Sequence, residues 1–172
     1  CTIDPLLDEQ IEEYAEEVLA EGRGGGHFLY RIGPDLADLV RNPLFLFMTT
    51  EVLKTQPDAK MPNNKAALYA DYTTLLLTEW ERCKPSVRPF VVDQATKERI
   101  LAVYAQQSWR QVPDQPLFNE VIQAHAGMWD LQLIRAELWK SGLLRLRQGG
   151  PEFYHPSFQE YFMALGASQQ SD

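Results

Sequence analysis

His155 is the side chain best placed to do chemistry. It stands in Phe153-Tyr154-His155-Pro156-Ser157-Phe158-Gln159-Glu160-Tyr161-Phe162, where an extended run gives way to a helix. Proline suits a first helical turn, because the N–H it lacks would have no partner there, so Pro156 marks the helix start. An imidazole at such a junction lies beside helix-start N–H groups, a natural place for an anion. Its ring N–H can donate to an anion's oxygen, and nearby negative charge favours the protonated ring. Ser157 is expected to satisfy a backbone N–H of the helix start, and Gln159 and Glu160 to form a polar face at a domain seam. Pro43, after Asn42, reads as the first residue of another helix. His27 and His125 have no Cys, Asp or Glu at ligand spacing, so both are read as facing solvent and no metal site is expected. No Ser/His/Asp or Cys/His set forms, so no catalytic residue is assigned. Gly22-Arg23-Gly24-Gly25-Gly26 lacks the Lys-Ser/Thr that completes a phosphate-cradling P-loop, and reads as a mobile loop.

Elements that would position these residues follow from hydrophobic spacing. Asp8 to Glu21 sets Ile11, Tyr14, Ala15, Val18 and Leu19 on one face and glutamates on the other, an amphipathic helix. Its acidic first turns suit the helix dipole. A short helix is expected from about Pro34 to Val40, and a third from Pro43 through Lys54. After a polar turn over Pro57 to Asn63, Asn64 caps a long helix to about Arg82, with Leu68, Tyr72, Leu75, Leu76 and Trp80 inward. Lys84 to Pro89 reads as a linker. Beyond it come a helix from about Gln94 to Gln111, with Ile100, Leu101, Tyr104, Ala105 and Trp109 packing, and a short helix over Leu117 to Ala126. Pro113 and Pro116 separate the two. A third helix is capped by Asp130, with Leu131, Ile134 and Leu138 inward. A hairpin over about Leu143 to Tyr154 turns at Gly149-Gly150-Pro151, and Phe158, Tyr161, Phe162 and Leu165 make one face of the last helix. Ser168 to Asp172 reads as a frayed tail. The chain is thus expected to be mainly α: a small helical bundle over residues 1–84, then a winged-helix domain with one short β-hairpin over residues 85–172.

Four stretches resemble one family, the NACHT-type signalling NTPases of the STAND class. Leu36-Ala37-Asp38-Leu39-Val40-Arg41-Asn42-Pro43-Leu44-Phe45-Leu46 is similar to the family's L-x-x-L-x-x-N-P-L-x-L. Ala67-Leu68-Tyr69-Ala70-Asp71-Tyr72, running to Trp80-Glu81-Arg82, resembles its LY helix. Ser141-Gly142-Leu143-Leu144 and the His155 segment complete the set, in the family's order and spacing. The resemblance implies the C-terminal part of a nucleotide switch, following its ATP-binding core, with Cys1 to Leu6 leaving the core's last strand. It implies that Pro43 lies against the adenine of bound nucleotide and that His155 reaches the β-phosphate of ADP when the winged helix folds over the site. The cofactor would be ADP or ATP with Mg²⁺ in the intact protein, with none held by this stretch alone. The partners would be the upstream core of the same chain and, on activation, further copies in a homo-oligomer. The parent would be the ATPase; this stretch, without Walker motifs, would not be an enzyme.

Composition excludes other classes. The 172 residues are 45% hydrophobic and 23% charged, an ordinary globular balance. No run of about 18 apolar residues suggests a membrane span, no signal peptide is visible, and Cys1 and Cys83 form no redox motif, so a cytoplasmic setting is expected. Net charge is −8; residues 1–42 carry ten acidic and three basic side chains, a balance of −7. Neither part has the basic face that phosphate neutralisation needs, so DNA is not an expected partner. A winged-helix nucleic-acid reader using Asp130 to Ser141, and a protein-interaction module using Trp129 and Trp139, are the alternative readings.

Overall fold

The acidic first helix forms where its periodicity places it. In the computed structural model, which describes residues 4–19, 28–55, 61–78, 90–110, 113–147 and 149–169, α1 spans Asp8–Leu19 and buries Ile11 and Ala15. The protein is mainly helical, with one two-stranded antiparallel hairpin among the described residues. It divides into two compact units, Cys1–Leu75 and Leu76–Asp172.

In the first unit, α1 is followed by α2 (Phe28–Ile32), α3 (Pro34–Ala37), a 3₁₀ turn (Leu39–Arg41) and α4 (Pro43–Thr55). The short helix expected over Pro34 to Val40 is therefore two pieces, and α2 has no counterpart in the sequence reading. A five-residue helix is too short to show a period. It is held instead from a distance: Glu12 of α1 accepts the N–H groups of Phe28 and Leu29 at 2.8 and 2.9 Å. Glu12 thus caps α2 as well as loading the start of its own helix. Ile11, Ala15, Phe28, Ile32, Leu36, Val40, Leu46 and Leu53 make one core. α4 is buried on several sides, and its Thr49 and Thr50 return their hydroxyls to the Phe45 and Leu46 carbonyls, which spares a dry interior an unpaired group. α5 (Lys65–Thr78) starts where expected, with Asn64 Oδ1 accepting from the Ala67 N–H at 2.9 Å. The Tyr69 ring meets Phe45 edge-on at 5.8 Å. The Gly22–Gly26 loop, His27, Trp80, both cysteines and the linker over Lys84 to Pro89 lie outside the described residues.

The second unit holds α6 (Gln94–Arg110), α7 (Gln115–His125), α8 (Leu131–Lys140), β1 (Leu144–Arg147), β2 (Gly150–Phe153) and α9 (Pro156–Gln169). α6 and α9 pack where Gly166 meets Ala102 and the Gln106 side chain; a Cβ there would lie 2.6 Å from the Gln106 amide nitrogen, a flexible end that would have to move aside. Trp109 was expected inside and is 59% exposed. The first turn of α9 meets α6 at Ser108 through Gln159, so α6 outruns its cover by the Trp109 position. Leu131, also expected inward, is 37% exposed because it is the first residue of α8, while Ile134 and Leu138 are buried. Pro116 opens α7 rather than only ending α6, and Asp114 caps it. Ser168 belongs to α9, with its hydroxyl on the Leu165 carbonyl, rather than to a frayed tail. The hairpin pairs Leu144 with Phe153 and Arg147 with Gly150. Tyr104, Phe118, Phe153 and Phe162 stack into an aromatic core behind it.

One buried ion pair ties this unit together. Lys97 is 1% exposed; its Nζ lies 3.1 Å from Glu137 Oε2 on α8, donates to the Leu77 carbonyl, and sits 4.2 Å above the Phe90 ring centre. Glu137 also accepts the N–H groups of Val91 and Val92. Burial pulls the Lys97 pKa below its ordinary value, and Glu137 opposes that shift.

Candidate functional site

His155 occupies the junction it was expected to occupy, between the end of β2 and Pro156, the first residue of α9. The side chain is exposed. Its Nδ1 lies 2.6 Å from Ser157 Oγ and accepts the Ser157 backbone N–H at 3.2 Å. The imidazole itself therefore fills the capping role that had been given to the Ser157 hydroxyl, and Ser157 Oγ turns to the ring. The helix start is less open to an anion than its sequence suggests. Pro156 has no N–H, the Ser157 N–H goes to Nδ1, and the Phe158 N–H goes to the His155 carbonyl at 3.1 Å. What the junction offers a ligand is the far edge of the ring.

Behind the junction a cleft of about 210 Å³ is lined by Ser108, Pro113, Arg145, Glu152, Phe153, Pro156 and Gln159. Gln159 does not stand on a free polar face; its amide reaches Ser108 Oγ at 3.1 Å. Glu152 lies 3.3 Å from Arg147 and 3.8 Å from Arg145, and the Arg145 guanidinium sits over the Tyr154 ring. Glu160 is exposed.

Pro43 is the first residue of α4, as expected, and Asn42 Oδ1 caps that helix through the Leu44 N–H at 2.9 Å. With Asp4, Pro5, Asp38, Arg41 and Asn42 it lines a second cleft, of about 250 Å³. Arg41 shapes one wall: it pairs with Asp8 at 2.6 Å, donates to the Leu6 carbonyl, and accepts the Leu6 N–H on its own carbonyl. Pockets that enclose whole drug-sized ligands start at about 300 Å³, so this cleft is smaller than one of those. Pro43 belongs to the first unit and His155 to the second.

Sequence reasoning missed three positions. Lys97 and Glu137 were not singled out, although each follows the apolar spacing of its helix. Asp93 was not read as a cap. It accepts the Thr96 N–H at 2.8 Å and the Trp129 indole N–H at 2.8 Å, and the Thr96 bonds hold its carboxyl below the ordinary range. Trp129 and Trp139, the residues of the interaction-module reading, are half-buried, the first on Asp93 and the second edge-on to Phe118. His125 is half-buried at the end of α7. Among the described residues no group of three or more His, Cys, Asp or Glu side chains is arranged to hold a metal ion. No described helix is long and apolar enough to cross a membrane. Comparison with family models, with curated proteins and with solved structures found no match to this chain.

Proposed function

We propose that this chain is the regulatory C-terminal part of a NACHT-type STAND ATPase, a helical domain followed by a winged helix that closes over bound ADP. In this reading it holds the resting state and swings away on activation so that subunits assemble, in the cytoplasm. The observation that carries the reading is the exposed His155 ring at the strand–helix junction, with its Nδ1 engaged by Ser157 in the first turn of α9 and its other edge facing no partner among the described residues. The cleft at Pro43 supports it as a place for the adenine. An upstream core would supply the P-loop, Mg²⁺ and most of the phosphate donors. The nucleic-acid reading has less support. On α8, Arg135 is engaged with Asn119 at 2.8 Å, and the hairpin arginines share Glu152.

The test is His155→Ala in the protein carrying its nucleotide-binding core. A hydrogen bond to a charged group contributes about 1.5–3 kcal/mol, so ADP affinity should fall roughly ten- to a hundredfold, and ATP affinity less. A ligand shifts an equilibrium only by its differential affinity, so basal assembly, followed by light scattering, should rise in parallel. Unchanged ADP affinity in a folded variant would return His155 to a structural role.

A further inference from the structure

Among the described residues, the His155 ring is held by a single neighbour. Ser157 gives its backbone N–H to Nδ1 at 3.2 Å and places its Oγ 2.6 Å from the same nitrogen. A backbone N–H can only donate. Nδ1 therefore presents its lone pair, the Ser157 hydroxyl donates to it as well, and the ring proton sits on Nε2. The nitrogen that carries the proton in an imidazole is set by the bond the other nitrogen makes. We propose that Ser157 is the positioning residue of His155: its two donors fix the tautomer and orientation of the ring, so that the junction offers a ligand one Nε2–H and nothing else. This rests on the reading of His155 as a phosphate contact, and it narrows that reading. The ligand atom must be a hydrogen-bond acceptor, as a phosphate oxygen is, and a metal ion cannot bind Nε2 while the proton is there. The neighbouring residues leave this duty to Ser157, since Pro156 lacks an N–H and the Phe158 N–H is spent on the His155 carbonyl.

The test is ring-nitrogen NMR of His155 in the 172-residue chain, in mildly alkaline buffer, with His155→Ala identifying its signals among the three histidines. The wild type should show an unprotonated Nδ1 and a protonated Nε2, widely separated. In Ser157→Ala one donor is lost, and the two signals should move toward each other as tautomers and ring orientations mix. Ser157→Thr should restore the wild-type pattern. Should Ser157→Ala fail to fold, Ser157→Cys keeps the size and weakens the donor. A wild-type ring protonated on Nδ1 or averaged between tautomers would overturn the proposal, as would an unchanged spectrum in Ser157→Ala. No nucleotide is present in this experiment. Its failure leaves the nucleotide reading standing, and loss of the nucleotide reading leaves this result standing.

Discussion

At the scale of single residues, the charge buried at Lys97 makes a strong demand on its surroundings. Taking one partner from a buried pair leaves the other uncompensated, at about 3–5 kcal/mol. Lys97→Met should therefore cost that much, because Glu137 would remain buried with only two backbone N–H groups. Lys97→Met combined with Glu137→Gln should cost clearly less than the two single changes added, since residues in one network couple. Urea denaturation of the four proteins measures this, and simple additivity would mean that the pair is not coupled. Asp93 yields a pH prediction. Its folded pKa is lowered, so the unfolded state binds the proton more readily. The stability it contributes is complete above the unfolded value of about 3.9 and is lost as pH falls through the folded value. Below about pH 4 the wild type should lose stability more steeply than Asp93→Asn; parallel curves would assign the acid loss to other groups. Both features leave a trace in the sequence. Lys97, Ile100, Leu101 and Tyr104 fall at i, i+3, i+4 and i+7, so a lysine stands on the buried face of α6. Ile134, Glu137, Leu138 and Ser141 repeat that spacing in and just after α8, with a carboxylate in the second place. Opposite charges on two apolar faces were the signal. Their pairing, forty residues apart, was not a local property.

Elements with long periodic faces were legible: α1, α4, α5, α6 and α9 start where capping and spacing place them. What was not legible depends on partners. α2 is too short for a period and takes its cap from Glu12, and the exposure of Trp109 is decided by where α9 begins. The hairpin was read from its turn residues, and the structure adds why Gly150 is glycine. A Cβ built there would lie 2.4 Å from the Asp114 carbonyl carbon and 2.7 Å from the Gln115 nitrogen. Those are backbone atoms at the start of α7, locked by the Asp114 cap and by the Gln115 N–H on the Gly149 carbonyl. They cannot yield as a flexible side chain would. Gly150→Ala should cost roughly 1–3 kcal/mol, the range for overpacking, and appear as a lower melting temperature. Gly142→Ala meets no atom within 4 Å, but its φ of 73° is strained for alanine, so its cost should come from backbone alone, of order 1 kcal/mol. Equal tolerance of alanine at Gly150 and at an exposed helical position would contradict the close approach of β2 to α7.

Across the whole molecule, charge and donor inventory set what the chain does unaided. Its net charge of −8 opposes an anionic duplex, and nonspecific binding at physiological salt typically starts only near 10⁻⁶ M. Titration of labelled duplex DNA at that salt should show no sequence preference and no sub-micromolar binding; either would move the α8 reader to first place. Nucleotide is the sharper case. Millimolar affinity requires about 4.1 kcal/mol, and the single donor proposed at His155 would supply about 1.5–3. Pro43, proposed to stack on the base, belongs to the other compact unit, so the two contributions would add only if both units met one ligand. The P-loop amides that would supply further phosphate donors are absent from the 172 residues. Calorimetry should therefore find ADP binding to this chain weaker than about millimolar. Micromolar affinity surviving His155→Ala would mean that the donors lie elsewhere in the chain, and would remove the basis for reading it as the regulatory half of a nucleotide switch.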